Sequence, residues 1–392
     1  MKIMSLKKWS LLVVCIAMVG CRQTVNKSEA VENEVEDTAK VSLKYAEGFS
    51  VEYRDGYKLL EISDPQKKDT VNRKTYRFAL VNRGEKPKGI PQGYQKIEVP
   101  VRGIICMTSL QLSGFIKLDA LDYIVGINSS RRLFDKDIKK RIRDGKIVTI
   151  GKEGNFDEEL IMAANPNAIF VSLTKRGGFD KMEEVGIPLV PYLGYQETTP
   201  LAQAEWIKFI GLFTGKTSAA NRQFAEMEKS YEDACALVKN AEKEKGNAFR
   251  RPVVLYGKLH GSNWYAMAGD SYIAQIFKDA GADYFMKDDG RTGGLYIDFE
   301  TVYAQAGRCD FWVIQNKDAH PLGYASLKSE DPRYTDFRAW KDRGVVSCET
   351  GKTPVNELSP MEPDRVLKDF IQAFHPGLLK DYQPKYYMLL KR

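Results

Sequence analysis

Two α/β lobes joined by one long helix is the architecture that this 392-residue sequence predicts. Short apolar runs alternate with amphipathic helical segments over residues 99–198, and the same alternation returns over 249–392. Between them, 199–248 shows helical periodicity alone. Parallel strands with helical crossovers give a layered α/β domain, so two such stretches separated by a helix give two Rossmann-like lobes. A β-rich lead-in, 43–98, precedes the first lobe.

The N-terminus is of a different kind. Lys2, Lys7 and Lys8 precede an apolar run over 11–19. That run is too short to span a bilayer as a helix, which takes about 20 apolar residues. It fits the hydrophobic region of a secretory signal. Gly20-Cys21 follows, and a polar stretch begins at Arg22. The arrangement resembles a bacterial lipoprotein signal peptide over 1–21, cut before Cys21, whose sulfur takes the lipid. Met18 stands where that pattern prefers Leu. An ordinary cleaved signal with an incidental cysteine is the alternative. No acidic run follows Cys21 directly, so the periplasmic side of the cell envelope is the expected location. Residues 22–42 are polar and acidic and read as a flexible tether. No later run is long and apolar enough to be another span.

Lys and Arg number 59 against 52 Asp and Glu, a net charge of +7 spread without a basic block, which gives no footing for nucleic-acid binding. Of six cysteines, Cys15 and Cys21 belong to the signal, and Cys106, Cys235, Cys309 and Cys348 are too widely spaced for a zinc motif. An oxidising compartment permits a Cys309–Cys348 disulfide, and buried free thiols are the alternative.

The elements follow in order. In the lead-in, Val51 and Tyr53 precede the turn Arg54-Asp55-Gly56, with Tyr57 and Leu59 beyond it, a hairpin pattern. A second run over 76–81 ends at Asn82-Arg83-Gly84. The first lobe has strands at 101–105, 124–127, 147–150, 168–172 and 186–190, and helices at 110–118, 138–142 and 157–164. The acids opening 157–164 complement the helix dipole, and Asn165-Pro166-Asn167 stops that helix. A helix over 201–213 ends at Thr214-Gly215, and Thr217 or Ser218 caps a second one. Its apolar residues Phe224, Met227, Tyr231, Ala234, Val238 and Ala241 are spaced by three and four, one stripe along one side. In the second lobe, strands at 253–256, 311–314 and 344–347 alternate with helices at 271–280, 299–306, 337–341 and 365–374.

Ligands of open α/β sheets sit outside the carboxyl ends of the strands, and two facing lobes bring those loops into one cleft. The first-lobe candidates are Met107, Thr108, Ser109, Ser130, Arg131, Asn155, Phe156 and Arg176. Those of the second lobe are Lys258, His260, Trp264, Tyr265, Tyr296, Lys317 and Tyr324. The run over 256–265 is the richest, a loop with two glycines that sets aromatics beside cations. Such a surface suits large flat or anionic chelates through stacking, hydrogen bonds and charge. The plainer alternative makes Trp264 and Tyr265 packing anchors of an ordinary loop and His260 a solvated side chain.

Enzyme chemistry finds no footing. The histidines are His260, His320 and His375, and no pair has the spacing of H-E-x-x-H. No G-x-S-x-G is present, and Gly215-Lys216-Thr217 is no phosphate loop because the preceding Gly211 stands one position late. A carrier of bare Zn²⁺ or Mn²⁺ needs several cleft histidines or carboxylates.

Several segments together resemble one family. Ile104-Ile105-Cys106-Met107-Thr108-Ser109 runs on to Tyr123-Ile124-Val125-Gly126-Ile127, and Ile150-Gly151 runs through Asn155-Phe156-Asp157-Glu158-Glu159 to Asn165-Pro166-Asn167-Ala168-Ile169-Phe170. Ala280-Gly281-Ala282-Asp283-Tyr284-Phe285, the stretch 337–346 and the segment 361–376 follow in the second lobe. In this order, over roughly 99–380, they resemble the substrate-binding proteins of ABC importers for vitamin B12, ferric siderophores and haem. Asn167 stands where that family usually has Asp, and 43–98 lies outside the pattern.

The resemblance implies a transported metal chelate rather than a resident cofactor and delivery to an ABC permease with its ATPase, and a rigid helix linker, which permits only a modest hinge, predicts a cleft largely formed in advance. It also implies docking through an acidic side chain on each lobe, by position Asp180, Glu183 or Glu184 in the first and Glu330 or Asp331 in the second. If the cargo is haem, His260, Tyr265 or Tyr296 supplies an iron ligand. A lipid-anchored envelope protein that uses the fold for sensing or assembly is the alternative function.

Overall fold

The computed structural model describes residues 38–391 except 68, 70–72, 153–154, 174–182, 185 and 318–319. The expected signal, Cys21 and most of the expected tether lie outside the described residues, as do Arg176 and Asp180.

The lead-in forms a sheet of four strands, β1 (Phe49–Arg54), β2 (Tyr57–Ser63), β3 (Thr75–Asn82) and β4 (Gln95–Val99), in that spatial order. The first hairpin turns at Asp55-Gly56, where Gly56 takes φ 76°, a conformation glycine adopts without strain. One face of the sheet (Leu60, Ile62, Phe78, Leu80, Ile97) shares a core with Ile104 and Phe170 of the first lobe and Phe213 of the linker. The lead-in is thus fused to that lobe by apolar burial.

Its approach is held by carboxylates. Glu205, fully buried, accepts from the backbone N–H of Lys44 (3.0 Å), Tyr45 (2.7 Å) and Ala46 (2.8 Å) and from Lys208 Nζ (2.6 Å). Glu197 accepts from Gly48 N–H (2.9 Å) and Trp206 Nε1 (2.9 Å). Further back, the Lys40 carbonyl accepts from Asn221 Nδ2 at 3.0 Å, so the chain is already held there.

The first lobe runs β5 (Ile104–Cys106), α1 (Ser109–Lys117), β6 (Ile124–Ile127), α2 (Lys136–Arg143), β7 (Val148–Thr149), the small hairpin β8 (Gly151–Lys152) and β9 (Asn155–Phe156), α3 (Glu158–Ala164), β10 (Ala168–Val171) and β11 (Leu189–Pro191). Its sheet is parallel throughout, in the order β11-β10-β5-β6-β7. Asp157 caps α3 through Leu160 N–H, and Asn165, left-handed at φ 46°, ends it.

The linker is α4 (Pro200–Glu205), α5 (Ile207–Thr214) and α6 (Thr217–Lys245). The single helix expected over 201–213 is interrupted at Trp206, which is fully buried and tied to Glu197. The expected cap at Thr217 or Ser218 falls instead on Lys216, without a side-chain cap bond, because Thr217 is itself the first helical residue. The 29 residues of α6 span about 44 Å at 1.5 Å per residue. Its stripe feeds two cores: Ala220, Phe224 and Met227 pack with the first lobe, and Tyr231, Ala234 and Val238 with the second.

The second lobe runs β12 (Val253–Tyr256), β13 (Lys258–His260), β14 (Asn263–Met267), α7 (Tyr272–Asp279), β15 (Asp283–Tyr284), β16 (Gly294–Asp298), α8 (Phe299–Ala306), β17 (Phe311–Asn316), α9 (Tyr324–Glu330), α10 (Arg338–Lys341), β18 (Val345–Glu349), α11 (Val355–Leu358), α12 (Pro363–Phe374) and β19 (Met388–Leu389). Its main sheet is β15-β12-β17-β18-β19, with the last strand antiparallel. A separate antiparallel sheet, β13-β14-β16, takes up the segment expected to be a loop over 256–265. Cys309 and Cys348 are buried free thiols, so the disulfide is not formed. Among the described residues no helix is long and apolar enough to cross a membrane.

Candidate functional site

The parallel strands of both main sheets end in pockets at their carboxyl edges. Strands β5, β6 and β10 stop at Cys106, Ile127 and Val171, and the residues just beyond them line a cavity of 380 Å³. Its walls include Thr108, Ser109, Asn128, Ser129, Arg131, Ser172 and Tyr195, with Asn356 reaching in from the second lobe. The turn into α1 is fixed by buried Gln111, whose Oε1 accepts from the N–H of Met107 at 2.7 Å and of Thr108 at 3.2 Å.

In the second lobe, β12 and β17 stop at Tyr256 and Asn316 and open on a cavity of 410 Å³. It is lined by Tyr256, Gly257, Lys258, Leu259, His260, Gly261, Tyr265, Gln315 and Lys317. Gly257 takes φ 98°, and a Cβ there would stand 1.9 Å from the Tyr265 carbonyl, so only glycine lets the chain turn from β12 into the hairpin.

The loops that bear the two cavities touch. Arg132, next to Arg131, donates from Nη2 to the carbonyl of Lys317 at 3.4 Å. The same first-lobe loop meets Glu357 of α11, whose carboxylate accepts from the N–H of Phe134 (2.8 Å) and Asp135 (3.1 Å). Arg131, Lys258, Lys317 and His260 line the cavities, and among the described lining residues there is no Asp or Glu.

Tyr265 and Tyr296 lie opposite each other on β14 and β16 with ring centroids 5.3 Å apart, and His260 lies 6.0 Å from Tyr296. The tyrosines are 38% and 61% exposed, a stacking platform at the mouth of the second cavity. Partial burial pushes the Tyr265 hydroxyl pKa up, which keeps it protonated. Among the described residues no three His, Cys, Asp or Glu side chains gather as a metal cage.

Of the residues expected in the cleft, Thr108, Ser109, Arg131, Lys258, His260, Tyr265 and Lys317 line the cavities, and Tyr296 flanks the second. Ser130 is exposed in the same loop as Arg131. Five others of the expected residues do not line either cavity. Met107 is buried in an apolar cluster with Ile105, Ile150 and Val171, behind the cavity wall. Asn155 and Phe156 sit on the β8–β9 hairpin, with Phe156 packed on that same cluster. Trp264 is fully buried, packed on Trp312 and Phe337, and donates from Nε1 to the Tyr256 carbonyl at 3.0 Å, so it is a packing anchor and not a cleft surface. Tyr324 is buried beneath Arg343 with its hydroxyl at the amino end of β18, the edge away from the cleft.

Of the docking acids, Glu183 and Glu184 are exposed. Glu330 pairs with Lys258 at 3.0 Å, and Asp331 caps the turn at 332–336 and pairs with Arg333 at 2.8 Å.

Sequence reasoning missed Asn128, Ser129, Ser172 and Gln315, which lie within two residues of a strand's carboxyl end and were within reach of the same rule. Tyr195 and Asn356 carry no local signal.

A family described as periplasmic binding protein matches residues 104–350. Two proteins of Methanocaldococcus jannaschii, both described as uncharacterized lipoproteins, are 26% identical to this chain. One alignment covers 96% of this chain and 94% of the relative, the other 96% and 97%. Among solved structures, a periplasmic heme-binding protein from Pseudomonas aeruginosa superposes with a TM-score of 0.55 at 16% identity, over 74% of this chain and 99% of its own. A protein described as an ABC-type Fe³⁺-hydroxamate transport system from Saccharomonospora viridis gives 0.55 at 19% identity, over 70% and 94%. A possible iron-binding protein from Staphylococcus epidermidis gives 0.54 at 15% identity, over 70% and 99%.

Proposed function

The chain belongs to the periplasmic binding protein family, and on that premise we propose that it captures a metal chelate, a ferric siderophore, haem or cobalamin, for an ABC importer. The observation that carries this reading is the lining: Arg131 from the first lobe and Lys317 from the second, with Lys258 paired to Glu330 and no Asp or Glu among the described lining residues, beside an exposed aromatic pair. Charge draws in an anion, and the aromatic faces take up a flat or bulky ligand body. The importer permease and its ATPase are the proposed partners, reached through exposed acids such as Glu183 and Glu184 on the first lobe. On the second lobe Glu330 and Asp331 would exchange their present lysine and arginine partners for permease cations. If the cargo is haem, His260, Tyr265 or Tyr296 would supply the iron ligand, the three rings lying within 6.0 Å of a neighbour.

Lipidation of Cys21, on the periplasmic side, fits the description of both archaeal relatives as lipoproteins. Fatty-acid labelling should mark the wild type and miss Cys21→Ser. Native mass spectrometry of protein purified from its host should show a bound chelate whose mass and absorbance identify its class. A bound amino acid, sugar or bare ion would overturn the chelate reading.

A further inference from the structure

We propose that α11 couples ligand capture to the seating of the lobes: Asn356 touches the ligand from the second lobe, and Glu357 is the positioning residue that fixes where Asn356 stands. This rests on the reading of the cleft as the ligand site.

Two neighbours on this short helix face opposite ways. Asn356 is exposed and lines the first-lobe cavity, whereas Glu357 is 1% exposed. Among the described residues no ion pair to Glu357 is seen, although the charge of Lys139 favours its ionised form. The carboxylate is held by backbone N–H groups of the other lobe, Phe134 to Oε1 at 2.8 Å and Oε2 at 2.9 Å, and Asp135 to Oε2 at 3.1 Å. Burial raises its pKa while those N–H groups oppose the shift, so the carboxylate depends on them for its solvation.

The donors directly follow Leu133, which lines the cavity together with Arg131. Each side of this bond is therefore one to three residues from a cavity wall, Arg131 and Leu133 on one lobe and Asn356 on the other. The Arg132–Lys317 contact ties the same loop to the second cavity. A movement of the lobes that carries α11 away from this loop would break the bonds that Glu357 makes to it. A ligand held between Arg131 and Asn356 senses the spacing that Glu357 sets.

The test combines amide hydrogen exchange at 134–135 with titrations of haemin, cyanocobalamin, a ferric hydroxamate and a ferric catecholate. The variants are Glu357→Gln, Glu357→Asp and Asn356→Ala, with Glu205→Gln as a buried-carboxylate control remote from the cleft. In Glu357→Gln, exchange at 134–135 should rise at least tenfold and affinity for the bound chelate should fall at least tenfold. Glu357→Asp should recover part of both. Asn356→Ala should lower affinity several-fold and leave exchange at 134–135 unchanged, and Glu205→Gln should alter neither. Faster exchange in Glu357→Gln with affinity within twofold of wild type would make the contact merely structural and overturn the coupling, as would full affinity in Asn356→Ala. A wild type that binds none of the four overturns the chelate reading itself and the coupling with it.

Discussion

Replacing Trp264 separates a packing residue from a ligand surface. Its indole is fully buried among Trp312, Tyr334 and Phe337, at centroid distances of 5.6, 6.0 and 5.6 Å, and its N–H bonds the Tyr256 carbonyl at 3.0 Å. Truncation to Ala empties a large aromatic site, which costs about 3–5 kcal/mol. A stranded buried carbonyl adds about 1–3 kcal/mol. Against a total stability of about 5–15 kcal/mol, Trp264→Ala should be largely unfolded or strongly destabilised.

Trp264→Phe keeps most of the packing and loses the N–H, for a cost of about 2 kcal/mol. Tyr256 still lines the cavity, so the folded Phe variant should bind ligand within about twofold of wild type. Urea unfolding with a constant slope gives the stability change, and titration of the folded variant gives affinity. Tenfold weaker binding by Trp264→Phe with unchanged stability would place the ring on the ligand and refute the buried assignment.

Other outcomes follow from the same contacts. Glu205→Ala breaks a buried ion pair with Lys208 and strands three N–H groups of residues 44–46. It should cost about 3–5 kcal/mol and speed hydrogen exchange at 44–46, and a loss under about 1 kcal/mol in urea unfolding would contradict the clamp. Lys317→Glu should weaken an anionic chelate at least tenfold and flatten the salt dependence of binding, and affinity unchanged at 0.15 M salt would remove Lys317 from the cleft. Burial holds the His375 pKa below its ordinary 6.5, so the neutral ring is the favoured folded form. Its contribution is full above about pH 6.5 and is lost as pH falls towards the lower folded value. Stability should therefore decline less steeply below pH 6.5 in His375→Gln than in wild type, and parallel curves would refute the assignment.

The periodic features of the fold were legible. Apolar runs of strand length marked both parallel sheets, and the stripe from Phe224 to Ala241 marked α6, because strand and helix periods are local. The stop at Asn165 was legible for the same reason. What failed was set by partners distant in sequence. Trp264 looked like a loop residue because β14 is completed by β16, whose pairing across the sheet turns the indole inward. Glu197 and Glu205 read as ordinary linker acids, yet a segment some 150–160 residues earlier covers them. In the cleft, the rule of strand carboxyl ends found Thr108, Ser109, Lys258 and Lys317. It could not reach Asn356, which belongs to the first cavity only because the lobes close on each other.

The most direct test of the central claim is fluorescence titration of the wild-type protein with haemin, cyanocobalamin, a ferric hydroxamate and a ferric catecholate. Binding of at least one at micromolar concentration or below, weakened by added salt where that probe is an anion, is the predicted result. Absence of binding by all four would contradict the account.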